Sequence, residues 1–304
     1  MIRLSGTLFA GLLGLAFGSF LNVCLTRWPE GESVVKPRSH CRSCVHTLSW
    51  WENLPLVSWL AQRGRCRFCH TWIGWRYPIV EAVVGGLWAV VVWQSLSQIL
   101  DPVLPPALLN QRIAITVCML VFLWLLVALA VLDAEHLWLP NPLTIPGIAI
   151  GFGYSLLKFS FLMRNGGLTG QQMPNGFAGE QYLLLGVALK SIIAILAATA
   201  IVLLIRWVYW LVRRKEGMGL GDAKLMAMLA AWLGLPGALL SFSIGVIIGA
   251  IVALGLLAIP KAQNEAGGWA MTKLPLGTFL CIGGMVGTLW GQPIIAAYLR
   301  WAGL

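Results

Sequence analysis

Two aspartates and four cysteines are the residues of this chain whose types and spacing could do chemistry. Asp133 closes the apolar run Ala128-Leu129-Ala130-Val131-Leu132, and Asp222 lies in Gly217-Met218-Gly219-Leu220-Gly221-Asp222-Ala223-Lys224. Ionisable residues at membrane depth are costly and usually serve a site. Two adjacent carboxylates cannot both ionise without strong repulsion, so they share a proton; one can then activate water as a base while the other polarises a carbonyl as an acid. Gly219 and Gly221 leave space for an extended substrate. A loop that breaks a span is tolerated only where it lines protein or water. For Asp133 taken alone, a headgroup-level carboxylate at a helix end is the structural alternative.

Cys41-Arg42-Ser43-Cys44 and Cys66-Arg67-Phe68-Cys69 form two CxxC pairs with 21 residues between them. This spacing lets two short knuckles present four thiolates to one tetrahedral zinc. A closed four-cysteine site has no open position for water, so the expected zinc is structural and supplies folding energy to its segment. His40, His46 and His70 lie nearby, which makes a mixed Cys/His set the main variant. Cys24, Cys118 and Cys281 fall inside apolar runs and read as small core hydrophobes.

The elements that must position these groups are membrane helices. Hydrophobic residues make up 59% of the 304 residues, charged residues 11%, and the mean hydropathy is +0.81. Such a composition points to lipid as the principal solvent. Apolar runs predict an all-α bundle of about eight spans: Leu4 to Leu25, Pro78 to Leu96, Ile113 to Leu132, Leu143 to Met163, Tyr182 to Val212, Leu225 to Gly234, Leu235 to Ile259 and Leu276 to Leu299. The turn signal Gly234-Leu235-Pro236-Gly237 divides the sixth from the seventh, and a count of seven is the alternative.

The domain reading is a first helix over 1–26, a cytoplasmic zinc-binding insertion over 27–77, and a helix bundle over 78–304 carrying the aspartates. The net charge of +10 fits Lys and Arg gathered in cytoplasmic loops; no basic stripe interleaved with aromatics suggests nucleic acid. With eight spans, the insertion, the turn around Asp133, the segment 213–224 and the loop 261–273 share the basic side. That side is therefore expected to be cytoplasmic and reducing, where metal binding is favoured over disulfides. The Gly-rich stretch from Asn165 to Gly179 reads as an extracytoplasmic loop.

GMGLGDAK resembles the GxGD signature of intramembrane aspartyl proteases, and specifically bacterial prepilin peptidases. The resemblance runs through GSFLNVCLTRWP (Gly18 to Pro29), PRSHCRSC (Pro37 to Cys44), NLPLVSWL (Asn53 to Leu60), GRCRFC (Gly64 to Cys69) and RYPIVE (Arg76 to Glu81). It continues through Leu132-Asp133 with Leu139-Pro140-Asn141 and through Glu216 to Leu225. It implies a multi-pass bacterial inner-membrane aspartic endopeptidase with Asp133 and Asp222 as the catalytic pair. It also implies cleavage of the leader of type IV prepilins or type II secretion pseudopilins, then methylation of the new amino terminus with S-adenosylmethionine. Two departures stand out: Asn141 occupies a position where aspartate is common, and Lys273-Leu274-Pro275-Leu276-Gly277-Thr278-Phe279 replaces a KxPFGPF-like stretch. The second bears on substrate docking near Pro275.

Other polar residues have plainer readings. His136 and Glu135 fit interfacial solvation, and Lys224 is either a charge-neutralising support for the site or a helix-flanking anchor. Many of the 16 tryptophans sit near predicted helix ends, while Trp50, Trp51, Trp59, Trp72 and Trp75 fall in the insertion as core or membrane-facing packing. A proton-coupled carrier is the competing function, since paired acids and glycine-broken helices also build carriers. A peptidase without methyltransferase activity and a zinc-bearing assembly platform are the remaining alternatives. No GxGxxG fingerprint marks a site for the methyl donor.

Overall fold

The computed structural model describes residues 1–100, 106–164, 177–214, 218–257 and 274–303. The expected loop 261–273, Gly217, and residues 165–176 of the Gly-rich stretch lie outside the described residues. The described chain is helical: α1 (Ile2–Arg27), a 3₁₀ turn (Trp50–Asn53), α2 (Val57–Ala61), α3 (Arg76–Ile99), α4 (Pro106–His136), α5 (Asn141–Arg164), α6 (Phe177–Arg213), α7 (Leu220–Leu257) and α8 (Leu276–Ala302). Among the described residues, seven helices are long and apolar enough to cross a membrane. The helices extend beyond the apolar runs that predict them, because their last turns carry the polar residues of the interface. Asp133 consequently lies within the last turn of α4 rather than in a turn after it, and Phe177 to Gly179 belong to α6 rather than to a loop.

The chain divides into two compact units, Met1–Leu104 with Met119–Ala128, and Pro105–Cys118 with Leu129–Leu304. In the first, α1 and α3 run antiparallel at close range. A methyl group on Gly14 would stand 2.9 Å from the Gly85 Cα, and one on Gly18 would stand 2.7 Å from the Glu81 Cα. The small-xxx-small spacing of these residues is what lets two membrane helices touch along their backbones. Farther along the seam, the buried Asn22 Nδ2 donates to the Tyr77 carbonyl at 3.0 Å. The α4 segment of this unit joins through the Trp88 indole N–H on the Leu120 carbonyl at 3.1 Å and the Trp124 N–H on the Phe17 carbonyl at 3.2 Å.

In the second unit, α7 doubles back. Gly221 and Gly277 both pack on the Leu139 side chain, while a methyl group on Gly245 would stand 3.1 Å from the Leu280 nitrogen. Both ends of this stretch therefore lie beside the first turn of α8, whereas a straight helix would separate Gly221 from Gly245 by about 36 Å. The reversal is at Gly234, with φ 71° and ψ 175°, a conformation in which a side chain is strained. Pro236 follows and withdraws a backbone donor. Two arms result, divided where the sequence predicts its sixth and seventh segments to part, which makes eight long helical segments among the described residues. The first arm runs beside α5, where the Trp232 indole N–H donates to the Gly147 carbonyl at 2.8 Å. The second runs antiparallel to α8, with Gly283 pressed on the Ser241 backbone.

Candidate active site and metal centre

Each aspartate is held by the start of a helix. The first N–H groups of an α-helix have no partner within the helix and attract anionic acceptors. Asp222 is the third residue of α7, and its Oδ2 accepts from the Gly219 N–H at 3.1 Å, the reciprocal half of a capping box. Asp133 performs the same service for a different helix. Its Oδ2 accepts from the N–H of Thr278, third residue of α8, at 2.7 Å, and lies 3.2 Å from the Thr278 hydroxyl. Asp133 is held in turn where α4 stops: Leu137 adopts φ 51° and its N–H returns to the Asp133 carbonyl at 2.9 Å.

The two carboxyls are buried, at 6% and 8% exposure, and lie within electrostatic reach of each other. Leu139 is the pivot between them. A methyl group on Gly221 would meet Leu139 at 3.1 Å, and one on Gly277 would stand 3.1 Å from the Leu139 Cδ1 and 2.9 Å from the Asp133 Cγ. Gly221 thus admits the backbone that carries Asp222 against Leu139, and Gly277 admits the first turn of α8 against Asp133. Cys281, one turn into α8, is fully buried, in keeping with a packing role. Lys224 reaches neither carboxylate: its Nζ donates to the Asn141 Oδ1 at 2.6 Å, tying α7 to the head of α5. Glu135 and His136 are solvent-facing and 3.9 Å from each other.

The cysteines form two copies of one knuckle. Cys41 and Cys66 each receive the amide of the fourth residue on, from Val45 and His70, at 2.9 Å. Single bridges, His40 to Thr47 and Arg65 to Trp72, close the two loops, and Val45 and His70 take φ values of 59° and 54° at matching positions. All four Sγ atoms lie within 4.8 Å of one another, with Cys41 to Cys69 at 3.7 Å and Cys44 to Cys66 at 4.0 Å. Tetrahedral zinc with Zn–S bonds of about 2.3 Å requires sulfur edges of about 3.8 Å, so the cluster has the size of that ion. The histidines contribute no ligand atom to the cluster. The Thr71 hydroxyl and amide hold the Cys69 thiol down at about 6. At Cys44 the His46 amide also favours the thiolate, but desolvation and the neighbouring sulfurs outweigh it and push the thiol up to about 11. Trp59, Trp72 and Trp75 pack against one another at centroid distances of 4.6 to 5.8 Å, a cluster in which Trp59 is half-buried while Trp72 and Trp75, like Trp50, are exposed. Cys24 is buried and Cys118 half-buried among apolar side chains, in keeping with packing roles.

Residues 12–95 match the Bacterial Peptidase A24 N-terminal domain, and residues 120–254 match the Type IV leader peptidase family. A protein of Stutzerimonas stutzeri named "Prepilin leader peptidase/N-methyltransferase" is 33% identical over 99% of this chain and 96% of its own length. One of the same name from Pseudomonas aeruginosa is 33% identical over 96% of this chain and 93% of its own. A third, from Myxococcus xanthus, is 35% identical over 84% of this chain and 66% of its own. No solved structure matches the chain. The chain belongs to the type IV leader peptidase family.

Both departures from the family pattern now have a place. Asn141 is the acceptor for Lys224, so a neutral partner stands where a carboxylate would make an ion pair. Gly277 and Thr278 touch Asp133 itself, not merely the surroundings of Pro275. A proline at 278 would bring no N–H to the carboxylate, whereas threonine brings one. Sequence reasoning flagged this stretch without assigning it to the aspartate, because the contact joins residues 145 apart and leaves no local signal.

Proposed function

We propose that this multi-pass membrane protein of the leader peptidase family is an aspartic endopeptidase that removes the leader of type IV prepilins or type II secretion pseudopilins, with Asp133 and Asp222 as its catalytic pair. The observation that carries the reading is the convergence of two buried carboxyls, each fixed by a helix start, around Leu139. Such a pair holds one proton between its members. The short Thr278 N–H contact favours the charge on Asp133, leaving the proton to Asp222. In the reaction, Asp133 takes a proton from water as the water oxygen bonds to the scissile carbonyl carbon, and Asp222 gives its proton to the carbonyl oxygen. Collapse of the tetrahedral adduct breaks the C–N bond as the leaving nitrogen takes the proton held by Asp133 and one hydroxyl of the adduct returns its proton to Asp222, which restores the starting pair. Gly219 leaves room beside Asp222, Gly221 lets α7 close on Leu139, and Lys224 supports the site by anchoring α7 to Asn141.

The names of the relatives support a second step on the same substrate, N-methylation of the new amino terminus, for which S-adenosylmethionine supplies the methyl group when bound. We assign this step to the insertion over 27–77 and its neighbouring helices, and the peptidase to the bundle over 78–304. Cys41, Cys44, Cys66 and Cys69 would hold a structural zinc that orders the insertion. The concentration of Lys and Arg in alternate connections supports a topology with the insertion and the aspartates toward the cytoplasm of a bacterial inner membrane.

Purified protein in lipid nanodiscs, given a pilin-type precursor, tests this reading by mass spectrometry. Leader-length mass loss is expected, with Asp133→Asn and Asp222→Asn each lowering turnover by about 10³-fold or more, since the amide cannot exchange the proton. An intact precursor across lipids and pH, with proton uptake coupled to a solute instead, would establish the carrier reading. Folded aspartate variants that still methylate a pre-cleaved pilin would separate the two steps.

A further inference from the structure

The first compact unit contains a cavity of about 650 Å³ between the carboxyl half of α1, the insertion and the head of α3. That volume is in the range of small-molecule sites. The stretches GSFLNVCLTRWP and RYPIVE, for which the peptidase chemistry has no use, supply two of its walls.

Two features of the lining ask for a ligand. Asn22 is only 2% exposed, and its Nδ2 is committed to the Tyr77 carbonyl, yet its Oδ1 is buried without a partner. Native interiors rarely leave such an acceptor unpaired; a hydroxyl or amine brought by a ligand would satisfy it. Glu81, at 7% exposure, receives the Leu56 N–H at 2.8 Å and a hydrogen bond from Ser19, so the donors that hold it are neutral. A buried carboxylate held by neutral groups beside a cavity favours a cationic guest.

The arginines of the lining argue against an anionic one. Arg27 is committed to the Ser33 and Pro37 carbonyls at 2.8 and 2.7 Å, and Arg42 to Glu30 at 2.8 Å. Trp59 and Trp72 complete the wall, with ring centroids 5.7 Å apart and the Trp59 N–H fixed on the Ile73 carbonyl. Indole faces stack on flat bases and attract cations.

We propose that this cavity binds S-adenosylmethionine, with Asn22 accepting from its adenosyl group, Glu81 facing its sulfonium, and Trp59 and Trp72 lining the wall. The proposal rests on the methylation reading. The cavity offers what this donor carries together: a flat base, hydroxyl and amine donors, and a fixed positive charge on sulfur.

The test uses the full chain in nanodiscs, with S-adenosylmethionine and its uncharged thioether S-adenosylhomocysteine as probes in titration calorimetry. Glu81→Gln keeps the shape and the acceptor for Leu56 but removes the charge. It is expected to weaken the sulfonium probe by about tenfold or more and the thioether by far less, whereas a merely structural defect would weaken both alike. Asn22→Leu should weaken both probes, and both variants should retain zinc and leader cleavage. Ultraviolet cross-linking of radiolabelled donor to the unmodified protein should place the label in peptides covering 19–27 or 59–81, a result that needs no variant to fold. Label elsewhere, or unchanged binding in both variants, overturns the cavity assignment and leaves methylation standing. Unmodified protein that neither binds the donor nor methylates a cleaved pilin overturns the methylation reading and this site with it.

Discussion

The cysteine insertion and the aspartate pair are each built from buried or half-buried titratable groups, but they are assembled in different ways. Each knuckle closes on itself, through one bridge and one amide turn that span only a few residues, and the two knuckles repeat one another. The local contacts of the aspartates, Asp222 with the Gly219 N–H and the Asp133 carbonyl with the Leu137 N–H, do not bring the two carboxyls together. Asp133 is held by Thr278, and Asp222 reaches the same place through Leu139, so three distant segments must pack before any site exists. The four-cysteine cluster is therefore encoded by local spacing, and the acid pair by tertiary packing. Damage to the two should look different.

The largest contrast is expected from Cys44→Ser. A structural zinc is folding energy for its segment, so the variant should lose its zinc, and limited proteolysis should nick between 27 and 77 while the helical bundle stays intact. Metal analysis and peptide mapping read both effects together. Full zinc content in that variant would remove Cys44 from the ligand set, and bundle-wide cleavage would show that the insertion is not independently ordered.

Gly277→Ala should leave the fold and damage the chemistry. The new methyl would stand 2.9 Å from the Asp133 Cγ and Oδ2 with Leu139 on its other side, so the carboxyl itself must shift. Displacements of about 1 Å at a reacting group cost up to about 10²-fold in rate, and alanine is otherwise the better helix former. Gly283→Ala supplies the opposite case, because its methyl would strike the Ser241 backbone away from the aspartates. Lower thermal stability with near-normal turnover is expected there. Equal losses of turnover in the two variants would remove the special status of Gly277.

The same contrast explains what could be read in advance. The CxxC pairs and their spacing point to four thiolates without any knowledge of the fold, and Gly234 with Pro236 marks the reversal of α7, because each is a local backbone event. Asp133 and Asp222 are legible as expensive carboxyls at apolar borders. Their mutual approach is not, since no property of residues 133 or 222 specifies Leu139 as the shared pivot. The roles of Gly277 and Thr278 were hidden for the same reason. α4 starts at Pro106, ahead of the expected Ile113, although Asn110, Gln111 and Arg112 interrupt the apolar run. In the structure Gln111 finds the Leu157 carbonyl at 3.0 Å and Arg112 lies over the Phe161 ring at 5.6 Å, so tertiary partners compensate what hydropathy penalises.

The smallest effect is expected from Thr278→Val, and its size follows from how one hydroxyl hydrogen is divided. Thr278 Oγ1 lies 2.9 Å from the Ala130 carbonyl and 3.2 Å from the Asp133 Oδ2, and it has a single proton to donate. The shorter contact takes most of that proton, so the side chain ties α8 to α4 more than it holds the carboxylate. The firm contact to Asp133 is the backbone N–H at 2.7 Å, which valine keeps. Turnover in Thr278→Val should therefore fall only a few-fold, about 1 kcal/mol in the usual scale of a neutral hydrogen bond. Thr278→Pro removes both donors, and proline is tolerated in the first turn of a helix, so the fold should survive while turnover falls by about tenfold or more, as expected for a hydrogen bond to a charged group. Steady-state kinetics on the two purified variants decides the matter. A valine variant as impaired as the proline variant would show that the hydroxyl, not the start of α8, positions Asp133, and the symmetry of two helix starts holding two acids would fail.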